Sequence, residues 1–217
     1  MSPPESDLSS LWAPPDPRAA ECLTERLCIR AYVPEDAESL FEAIEADRQV
    51  LLPWLPWANS ENQTVEACRE TIERFIENTA RRDVDDFPLA IIDRGSGCVL
   101  GGTGLHRLQF QTCQAEIGYW IRGDRQNQGF CTEAIRAHIS WAFRPQEDGG
   151  WGLRRLKIMC AEPNVASAAI PTKLGLQLEV RQREARHVDG FGYVDTLGWG
   201  ILAKDWDTAT HALRARS

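Results

Sequence analysis

The sequence predicts a mixed α/β (α+β) fold in which a mostly antiparallel central sheet of about seven strands is flanked by about four helices. Short segments that are apolar or alternate between apolar and polar residues indicate the strands. Longer segments with apolar residues at helical spacing indicate the helices. Their order is one strand, two helices, three strands, a helix, a strand, a helix and two strands. Helices placed between strands in this way are typical of one sheet with helices on both faces.

The first strand and helix are predicted at the start of the body. From Leu27 the segment L-C-I-R-A-Y alternates like a strand, and P-E-D-A-E-S-L-F-E-A-I-E-A follows with Pro34 near its start and acids in its first turn, as helices begin. Next comes L-L-P-W-L-P-W-A-N, where Pro53 and Pro56 disfavour regular structure. This loop is too apolar for an ordinary surface loop, so it is expected to be covered or to bind something.

A long helix is predicted from about Thr64 to Arg82, followed by an antiparallel meander of three strands. The strands are F-P-L-A-I-I-D, C-V-L-G-G-T-G-L after a turn at R-G-S-G, and Q-A-E-I-G-Y-W-I-R. The G-G-T-G run beginning at Gly101 lies inside a strand instead of between a strand and a helix. It therefore indicates a bulge or close packing and no dinucleotide site.

The second half continues with a helix over 130–143 and the strand R-R-L-K-I-M-C-A. A short helix from Asn164 to Leu174 ends at Gly175, a residue type suited to a left-handed C-cap. Two last strands are predicted over 178–187 and 193–203, joined through Asp189 and Gly190. These final strands could also pair across a homodimer.

One domain is predicted, over residues 21–207, with a tail at each end. Residues 1–20 contain five prolines among serines and acids and resist helix and strand alike. The apolar pair Leu11 and Trp12 gives this tail a means of docking on the body. Residues 208–217 form the C-terminal tail.

Composition excludes several classes of function. Twenty-four basic against 32 acidic residues give a net charge of −8, which disfavours a nucleic-acid partner and suits either a cationic substrate or an ordinary acidic surface. The seven cysteines have no metal-knuckle spacing and are expected to be reduced thiols. No leader and no apolar run of about 18 residues is found, so a cytoplasmic location without membrane contact is expected.

The segment Q-N-Q-G-F-C-T-E-A is the most informative part of the sequence. It joins a strand to a helix through a glycine-containing loop, and the free N–H groups and positive dipole end of a helix N-terminus suit a pyrophosphate. Gly129 would let an anion approach the backbone closely. The simpler alternative makes Gly129 only a turn at the helix entry.

Four separate segments resemble one known family. Gln126-x-x-Gly129-x-Cys131 resembles the Q/R-x-x-G-x-G/A acetyl-CoA loop of GNAT acetyltransferases, in the form found in their RimJ/RimL-like branch. Asn164-x-x-Ser167 followed by K-L-G-L resembles that branch's N-x-x-S…K-L-G-F motif. L-T-E-R-L-C-I-R resembles the family's first strand, and L-P-W-L-P-W a loop of members that acetylate ribosomal-protein N-termini. The resemblance covers residues 22–206.

The resemblance implies the GNAT fold, acetyl transfer from acetyl-CoA to an amine, and a set of cofactor contacts. The strand residues Tyr119, Trp120 and Ile121 would pair through their backbone with the pantetheine arm. Asn164 would bind the same arm and Ser167 would lie near the sulfur, although Asn164 is also explained as a helix N-cap. The pyrophosphate would be held by the loop residues Gln126, Gln128, Gly129, Phe130, Cys131 and Thr132.

The catalytic residues are predicted less directly. Glu116, in the middle of the third meander strand, is the first candidate base if it lies among apolar neighbours, and a solvated surface residue otherwise. Glu184 is the second candidate, although the glutamate of RimL-like members aligns more naturally with Arg186. Many GNAT enzymes have a tyrosine acid at the position of Pro171, so Ser167 is the candidate donor to the departing sulfur.

Cysteine and histidine chemistry is not expected. Cys131 lies at a predicted helix N-terminus, which would lower the pKa of its thiol. The resemblance nevertheless places it on the phosphates, where it replaces a glycine or alanine. The scattered histidines suggest neither a metal site nor a serine–histidine–acid triad, and no role is assigned to His106, His138, His187 or His211.

The acceptor side is predicted from the tryptophan-rich loop. Trp54, Leu55 and Trp57 would form the wall of the acceptor site, or else a dimer contact or a buried loop. The expected acceptor is a protein N-terminal amine of ribosomal-protein type. The alternatives are a small-molecule amine and a non-catalytic sensor that binds acyl-CoA.

Overall fold

Eight strands form one sheet in the computed structural model, which describes residues 12–18, 21–55, 57–81 and 84–206. In chain order they are β1 (Cys22–Leu23), β2 (Leu27–Ala31), β3 (Phe87–Asp93), β4 (Val99–Gln109), β5 (Gln114–Ile121), β6 (Arg155–Ala161), β7 (Gln177–Val188) and β8 (Gly192–Leu202). Their spatial order is β1-β2-β3-β4-β5-β6-β8-β7. The predicted meander is confirmed, since β3, β4 and β5 pair antiparallel in sequence.

The helices lie on both faces of this sheet. They are α1 (Ala37–Glu45), α2 (Arg48–Leu51), α3 (Trp57–Ser60), α4 (Val65–Thr79), α5 (Phe130–Phe143) and α6 (Val165–Lys173). Successive residues of a strand face opposite sides of the sheet. Leu89 and Ile91 of β3 accordingly pack in one core with α5, whereas Ala90 and Ile92 pack in a second core with α1 and α4. The fold predicted from the sequence is therefore confirmed.

Two details differ from the prediction. The short strand β1 was not predicted, because a two-residue strand has no measurable alternation; it pairs with β2 across the turn Thr24–Arg26. Two four-residue helices, α2 and α3, occupy part of the tryptophan-rich loop that was expected to be irregular. The prolines explain their limits, since α2 ends before Pro53 and α3 begins directly after residue 56.

The strands β5 and β6 diverge at the centre of the sheet. They are the one parallel pair among the described strands, and their pairing extends only from Gln114 opposite Arg155 to Glu116 opposite Lys157. On its other side β5 remains paired with β4 as far as Ile121. The second half of β5 therefore has a strand neighbour on one edge only.

Close packing explains the glycines of β4, as predicted. A Cβ atom on Gly102 would lie 2.6 Å from the Trp120 indole nitrogen, and one on Gly104 would lie 2.7 Å from the His106 ring. Docking of the N-terminal tail is confirmed for Trp12, whose indole N–H donates to the Trp151 carbonyl at 2.7 Å. Leu11, most of the predicted tail and the C-terminal tail lie outside the described residues.

All seven cysteines are free, in agreement with the expectation of reduced thiols. None of the helices in the described residues is both long and apolar enough to cross a membrane.

His138 of α5 is fully buried as a neutral imidazole. The Thr103 hydroxyl donates to the Gly118 carbonyl at 2.8 Å, so His138 Nδ1–H donates to that hydroxyl at 3.0 Å. Its Nε2 atom is buried without a partner. Burial, with a smaller contribution from the nearby His106, lowers the pKa of His138 from 6.5 to about 3.

This lowered pKa predicts acid sensitivity of the fold. Because the unfolded chain binds a proton near pH 6.5 and the folded chain does not, stability is full above pH 6.5 and is lost as the pH falls toward 3, by about 5 kcal/mol at most. We expect the urea midpoint to fall over this range, and the His138→Gln variant to show a flatter acid limb. An unchanged acid limb in that variant would contradict the assignment.

Candidate active site

A cleft of about 870 Å³ opens where β5 and β6 diverge. Its walls are formed by the second half of β5, by β6, by the first turn of α5 and by α6. The two segments that resemble the family motifs thus meet at one cleft although they are far apart in sequence. Most of the predicted cofactor residues line it, namely Tyr119, Trp120, Ile121, Gln126, Gly129, Phe130, Cys131, Thr132, Asn164 and Ser167.

The second half of β5 presents backbone groups to this cleft that have no strand partner, although the Ile121 carbonyl accepts from the Gln126 side chain at 3.4 Å. Arg122 N–H donates to the Leu100 carbonyl at 2.9 Å. Because alternate residues of an antiparallel strand direct their N–H and C=O groups toward the partner strand, this bond fixes which residues of β5 face β4. Trp120 therefore directs its backbone groups toward β4, whereas Tyr119 and Ile121 direct theirs toward the cleft. Only two of the three predicted backbone contacts can thus be made from this edge, and Trp120 contributes only its side chain to the cleft wall.

The loop before α5 is shaped by two residues with positive φ. Asn127 has φ of +57°, and Gly129, which is the N-cap of α5, has φ of +83°. No side chain caps the helix there, so the first N–H groups of α5 remain available. Gln128 does not line the cleft; its side chain donates to the Asp124 carbonyl at 2.8 Å and so stabilises the loop.

Three cations surround the loop end of the cleft, and the sequence analysis did not single them out. They are Arg125, Arg136 and Lys173. The Nε atoms of Arg125 and Arg136 are buried without a hydrogen-bond partner in the described residues. Buried guanidinium donors without partners fit a phosphate-bearing ligand, because phosphate oxygens would satisfy them. Arg125, three residues before Gln128, and Arg136, seven residues after Gly129, were visible in the sequence, but their common location depends on the fold.

A cluster of three side chains holds the loop against the turn between β1 and β2. Glu133 in the first turn of α5 accepts from the Thr24 hydroxyl at 2.6 Å and pairs with Arg26 at 2.6 Å. Arg26 also donates to the Gln128 carbonyl at 3.1 Å and lies 4.0 Å from the Phe130 ring centroid. This cluster explains structurally why L-T-E-R precedes the first long strand. The Phe130 side chain is itself buried in the core, so only its backbone faces a ligand.

Asn164, Ser167 and Tyr119 meet on the α6 side of the cleft. The Asn164 side chain caps α6 by accepting from Ser167 N–H at 3.1 Å, as the simpler interpretation predicts. The Tyr119 hydroxyl donates to the Ser167 carbonyl at 2.8 Å, and the Ser167 hydroxyl lies 3.4 Å from it. Burial raises the pKa of Tyr119, so this hydroxyl remains protonated. The sequence analysis missed its side chain, which brings a phenol to the cleft although Pro171 occupies the family's tyrosine position.

The cysteines at the cleft are protonated. Burial raises the pKa of the Cys131 thiol to about 12, so the expected lowering by the helix N-terminus is wrong. Removal from water outweighs the helix dipole at this site. Burial also raises the pKa of Cys160, which lines the cleft near Ser167. Both thiols are therefore poor nucleophiles at neutral pH.

The two candidate glutamates lie in different surroundings from those expected. Glu116 lines the cleft, but its carboxylate accepts from Arg107 at 2.8 Å and lies 3.5 Å from the Lys157 ammonium, so it is not among apolar neighbours. Glu184 is exposed in an irregular part of β7, with φ of +49°, and does not line the cleft. Arg186, two residues later, does line it.

A second cavity of about 500 Å³ lies on the α1 and α4 side of the sheet. It shares four residues with the cleft, which are Leu55, Gly118, Tyr119 and Trp120. Trp57 lines this second cavity and contacts Trp120 with ring centroids 5.9 Å apart. Trp54 lines the cleft instead and contacts Phe191. The tryptophan-rich loop therefore lies beside the junction of the two cavities; its residue 56 is outside the described residues.

The sheet divides at its parallel pair, and the glycine loop lies at the mouth of the division, where helix N–H groups suit a phosphate-bearing ligand. The model of the acetyltransferase (GNAT) domain matches residues 26–177, and the chain belongs to this family of acetyltransferases, whose acyl donor is acetyl-CoA. Within the described residues, no group of three His, Cys, Asp or Glu side chains is placed to hold a metal ion.

The chain is also similar to individual acetyltransferases. The chain is 32% identical to "Putative ribosomal N-acetyltransferase YdaF" of Bacillus subtilis (strain 168), over 85% of this chain and 96% of that protein. It is 25% identical to the ribosomal-protein-serine acetyltransferase of Escherichia coli (strain K12), over 77% of this chain and 88% of that protein. The structure of RimL, a ribosomal L7/L12 alpha-N-protein acetyltransferase, in complex with coenzyme A has the same fold, with a TM-score of 0.72 and 20% identity over 84% of this chain and 98% of that one.

Proposed function

We propose that this protein transfers the acetyl group of acetyl-CoA to a primary amine, and that its acceptor is the N-terminal amino group of a protein of ribosomal-protein type. The observation that carries the proposal is the divergence of β5 and β6 beyond Glu116. It leaves the backbone groups of Tyr119 and the N–H of Ile121 without a strand partner in a cleft that ends at the Gly129 loop, and the Ile121 carbonyl accepts only from the Gln126 side-chain amide at 3.4 Å. A ligand with an extended chain of amide groups and a pyrophosphate at one end matches this backbone edge and loop.

The cleft residues would hold acetyl-CoA at three places. The free backbone edge of β5 would pair with the pantetheine amides, and the amides from Gly129 to Thr132 would bind the pyrophosphate. Arg125 and Arg136 would donate their unpartnered Nε–H groups to phosphate oxygens. When bound, acetyl-CoA supplies an activated thioester carbonyl. The residues of the chain orient this carbonyl and transfer protons from the amine and to the sulfur.

The acceptor would enter from the second cavity. Both cavities meet at Gly118 and Tyr119, so an amine from the α1 and α4 side and a thioester from the α6 side would approach each other across the sheet. On the α6 side, Ser167 would donate a hydrogen bond to the departing sulfur, with the Tyr119 hydroxyl behind it. The reaction proceeds by direct attack, since the thiols of Cys131 and Cys160 are protonated.

The ribosomal-protein type of acceptor rests on the relatives. The YdaF and E. coli proteins are named as ribosomal or ribosomal-protein acetyltransferases, and their similarity extends over most of this chain. The tryptophan-rich loop, beside the cavity junction, would contact the first residues of such a peptide through Trp54, Leu55 and Trp57. A cytoplasmic location and a homodimer remain predictions from the sequence.

A second candidate acceptor is a small amine, and the size of the second cavity favours it. Its volume of about 500 Å³ falls within the range of about 300–1,000 Å³ of small-molecule sites. Tyr32, Phe75 and Trp120 line it, and the carboxylate of Asp86 would attract a cationic amine. Such a cavity accommodates a compact amine as well as the first residue of a peptide.

The proposal is tested by measuring CoA release from acetyl-CoA with a panel of acceptors. Peptides with free N-termini from ribosomal proteins are compared with the same peptides carrying a blocked N-terminus, and with small amines. Turnover that requires the free N-terminus supports the proposal, and turnover with small amines alone supports the second candidate. Acetyl-CoA binding without turnover across the panel would overturn both and indicate a non-catalytic sensor.

A further inference from the structure

His106 and Asp86 form a pair at the inner wall of the second cavity. His106 lies on β4 and its Nδ1 atom is hydrogen-bonded to a carboxylate oxygen of Asp86, which precedes β3. Both residues line the second cavity, and the His106 side chain is 32% exposed. A carboxylate accepts the proton of Nδ1–H, so the neutral imidazole has its lone pair on Nε2.

Two glycines allow the imidazole to lie directly on the sheet. Gly104 of β4 and Gly118 of β5 are register partners, and Cβ atoms on them would lie 2.8 Å and 2.9 Å from His106 Nε2. Any side chain at Gly118 would therefore push against the ring. Gly118 is one of the residues where the second cavity meets the cleft. The free nitrogen of His106 is thus placed at the junction of the two cavities.

His106 and the sulfur-side residues lie on opposite faces of the sheet. His106 is opposite Glu116 in the β4–β5 register, and Tyr119, three positions along β5, projects to the other face, where it meets Ser167. In a direct transfer the amine adds to one face of the planar thioester while the sulfur leaves from the same carbonyl carbon, so the proton acceptor and the proton donor need different positions around that carbon. The positions match that requirement, with a proton acceptor on the amine side and a donor on the sulfur side.

We propose that His106 is the general base for the acceptor amine and that Asp86 orients it. This inference rests on the proposed function. His106 Nε2 takes one proton from the acceptor ammonium and passes it to solvent. The freed amine nitrogen forms its bond to the acetyl carbon, and the bond from that carbon to sulfur breaks. The Ser167 hydroxyl gives its proton to the sulfur to form the CoA thiol and is reprotonated by the second ammonium proton, and the third proton stays on the amide nitrogen.

The charged groups around His106 favour it over Glu116 as the base. Glu116 is already paired with Arg107 and Lys157, whereas Nε2 of His106 has no hydrogen-bond partner within the described part of the chain. Other titratable or charged groups also face His106 or its cavity. They are Asp86, Glu116, His138 behind the sheet, Glu61 paired with Arg74 across the cavity, and the protonated hydroxyls of Tyr32 and Tyr119.

The test compares His106→Gln with the matched variant His187→Gln. His187 is also near an aspartate, Asp189 at 3.8 Å, but it is exposed and lines neither cavity. We expect His106→Gln to lower kcat roughly a hundredfold or more, as loss of a general base does, with the KM for acetyl-CoA unchanged. His187→Gln should have wild-type kinetics.

A pH profile separates a base from a structural residue. The wild-type kcat/KM for the acceptor should reach a plateau as the base loses its proton, whereas in His106→Gln it should keep rising with pH as the amine itself deprotonates. Asp86→Asn should lower kcat with the acetyl-CoA KM unchanged, and should also move the pH at which the plateau begins. Gly118→Ala should reproduce the His106→Gln profile, because its Cβ displaces the ring.

Accessibility of Nε2 gives a readout that does not depend on turnover. Diethyl pyrocarbonate should modify His106 in the free enzyme, detected by mass spectrometry, and an acetylated acceptor should protect it. The inference would be overturned if the wild type acetylates an amine and a folded His106→Gln variant has the same kcat and the same pH profile as the wild type. A wild type that binds acetyl-CoA but acetylates no amine would overturn the proposed function, and this inference with it.

Discussion

Replacing Gly129 with valine is expected to raise the Kd for acetyl-CoA about a hundredfold, which corresponds to about 2.7 kcal/mol. Gly129 has φ of +83°, a conformation that β-branched residues hardly adopt, so the loop must change its backbone or carry strain of about 1–3 kcal/mol. A Cβ atom there would lie 3.5 Å from Arg26 Nη2, and the branched methyl groups would press on that side chain. The helix N–H groups would then no longer be aligned for a pyrophosphate.

The measurement is calorimetric titration of acetyl-CoA, with Gly149→Val as the matched control. Gly149 has φ of +76° and open space around it, and it lies outside the cleft. It should therefore suffer similar strain, seen as a lower melting temperature, without a change in Kd. If Gly129→Val binds acetyl-CoA like the wild type, the loop is not the pyrophosphate site.

Removing the hydroxyl of Ser167 is expected to lower kcat roughly a hundredfold without weakening acetyl-CoA binding, because a general acid acts in the transition state. Tyr119→Phe should have a similar effect, since the two hydroxyls lie 3.4 Å apart. If they deliver one proton together, the double variant should be hardly slower than either single variant.

Tyr193→Phe provides the matched control for this cycle. Tyr193 is 74% exposed and lines neither cavity, so loss of its hydroxyl should not affect kcat. Multiplicative losses in the Ser167 and Tyr119 double variant would show that the hydroxyls act separately. A raised KM with unchanged kcat would assign them to binding alone.

The sequence was sufficient for the fold because local patterns and turn residues agree along most of the chain. The strand at Phe87–Asp93, its hairpin partner and α5 were predicted within a few residues. The loop at Gly129 was predicted because a glycine before a helix has a clear physical meaning. The two-residue strand β1 was missed because pairing, and not its own pattern, makes it a strand.

The catalytic groups were less predictable because they depend on which side chains meet across the sheet. The Tyr119 hydroxyl reaches Ser167 although they are 48 positions apart, and His106 meets Asp86 although they are 20 apart. Neither pair has a spacing that a motif search detects. The sequence left the surroundings of Glu116 open for the same reason, since Lys157 comes from a parallel neighbour strand.

The most direct test of the central claim, that acetyl-CoA binds along the free edge of β5, is amide hydrogen exchange measured by NMR with and without the ligand. Saturating acetyl-CoA should slow exchange at Tyr119 and Ile121, whose backbone groups face the cleft. Exchange at Trp120 should change much less, because its backbone already pairs with Gly102 of β4. Protection of Tyr119 and Ile121 is the predicted result. Unchanged exchange at both, in an enzyme saturated with acetyl-CoA, would contradict the account.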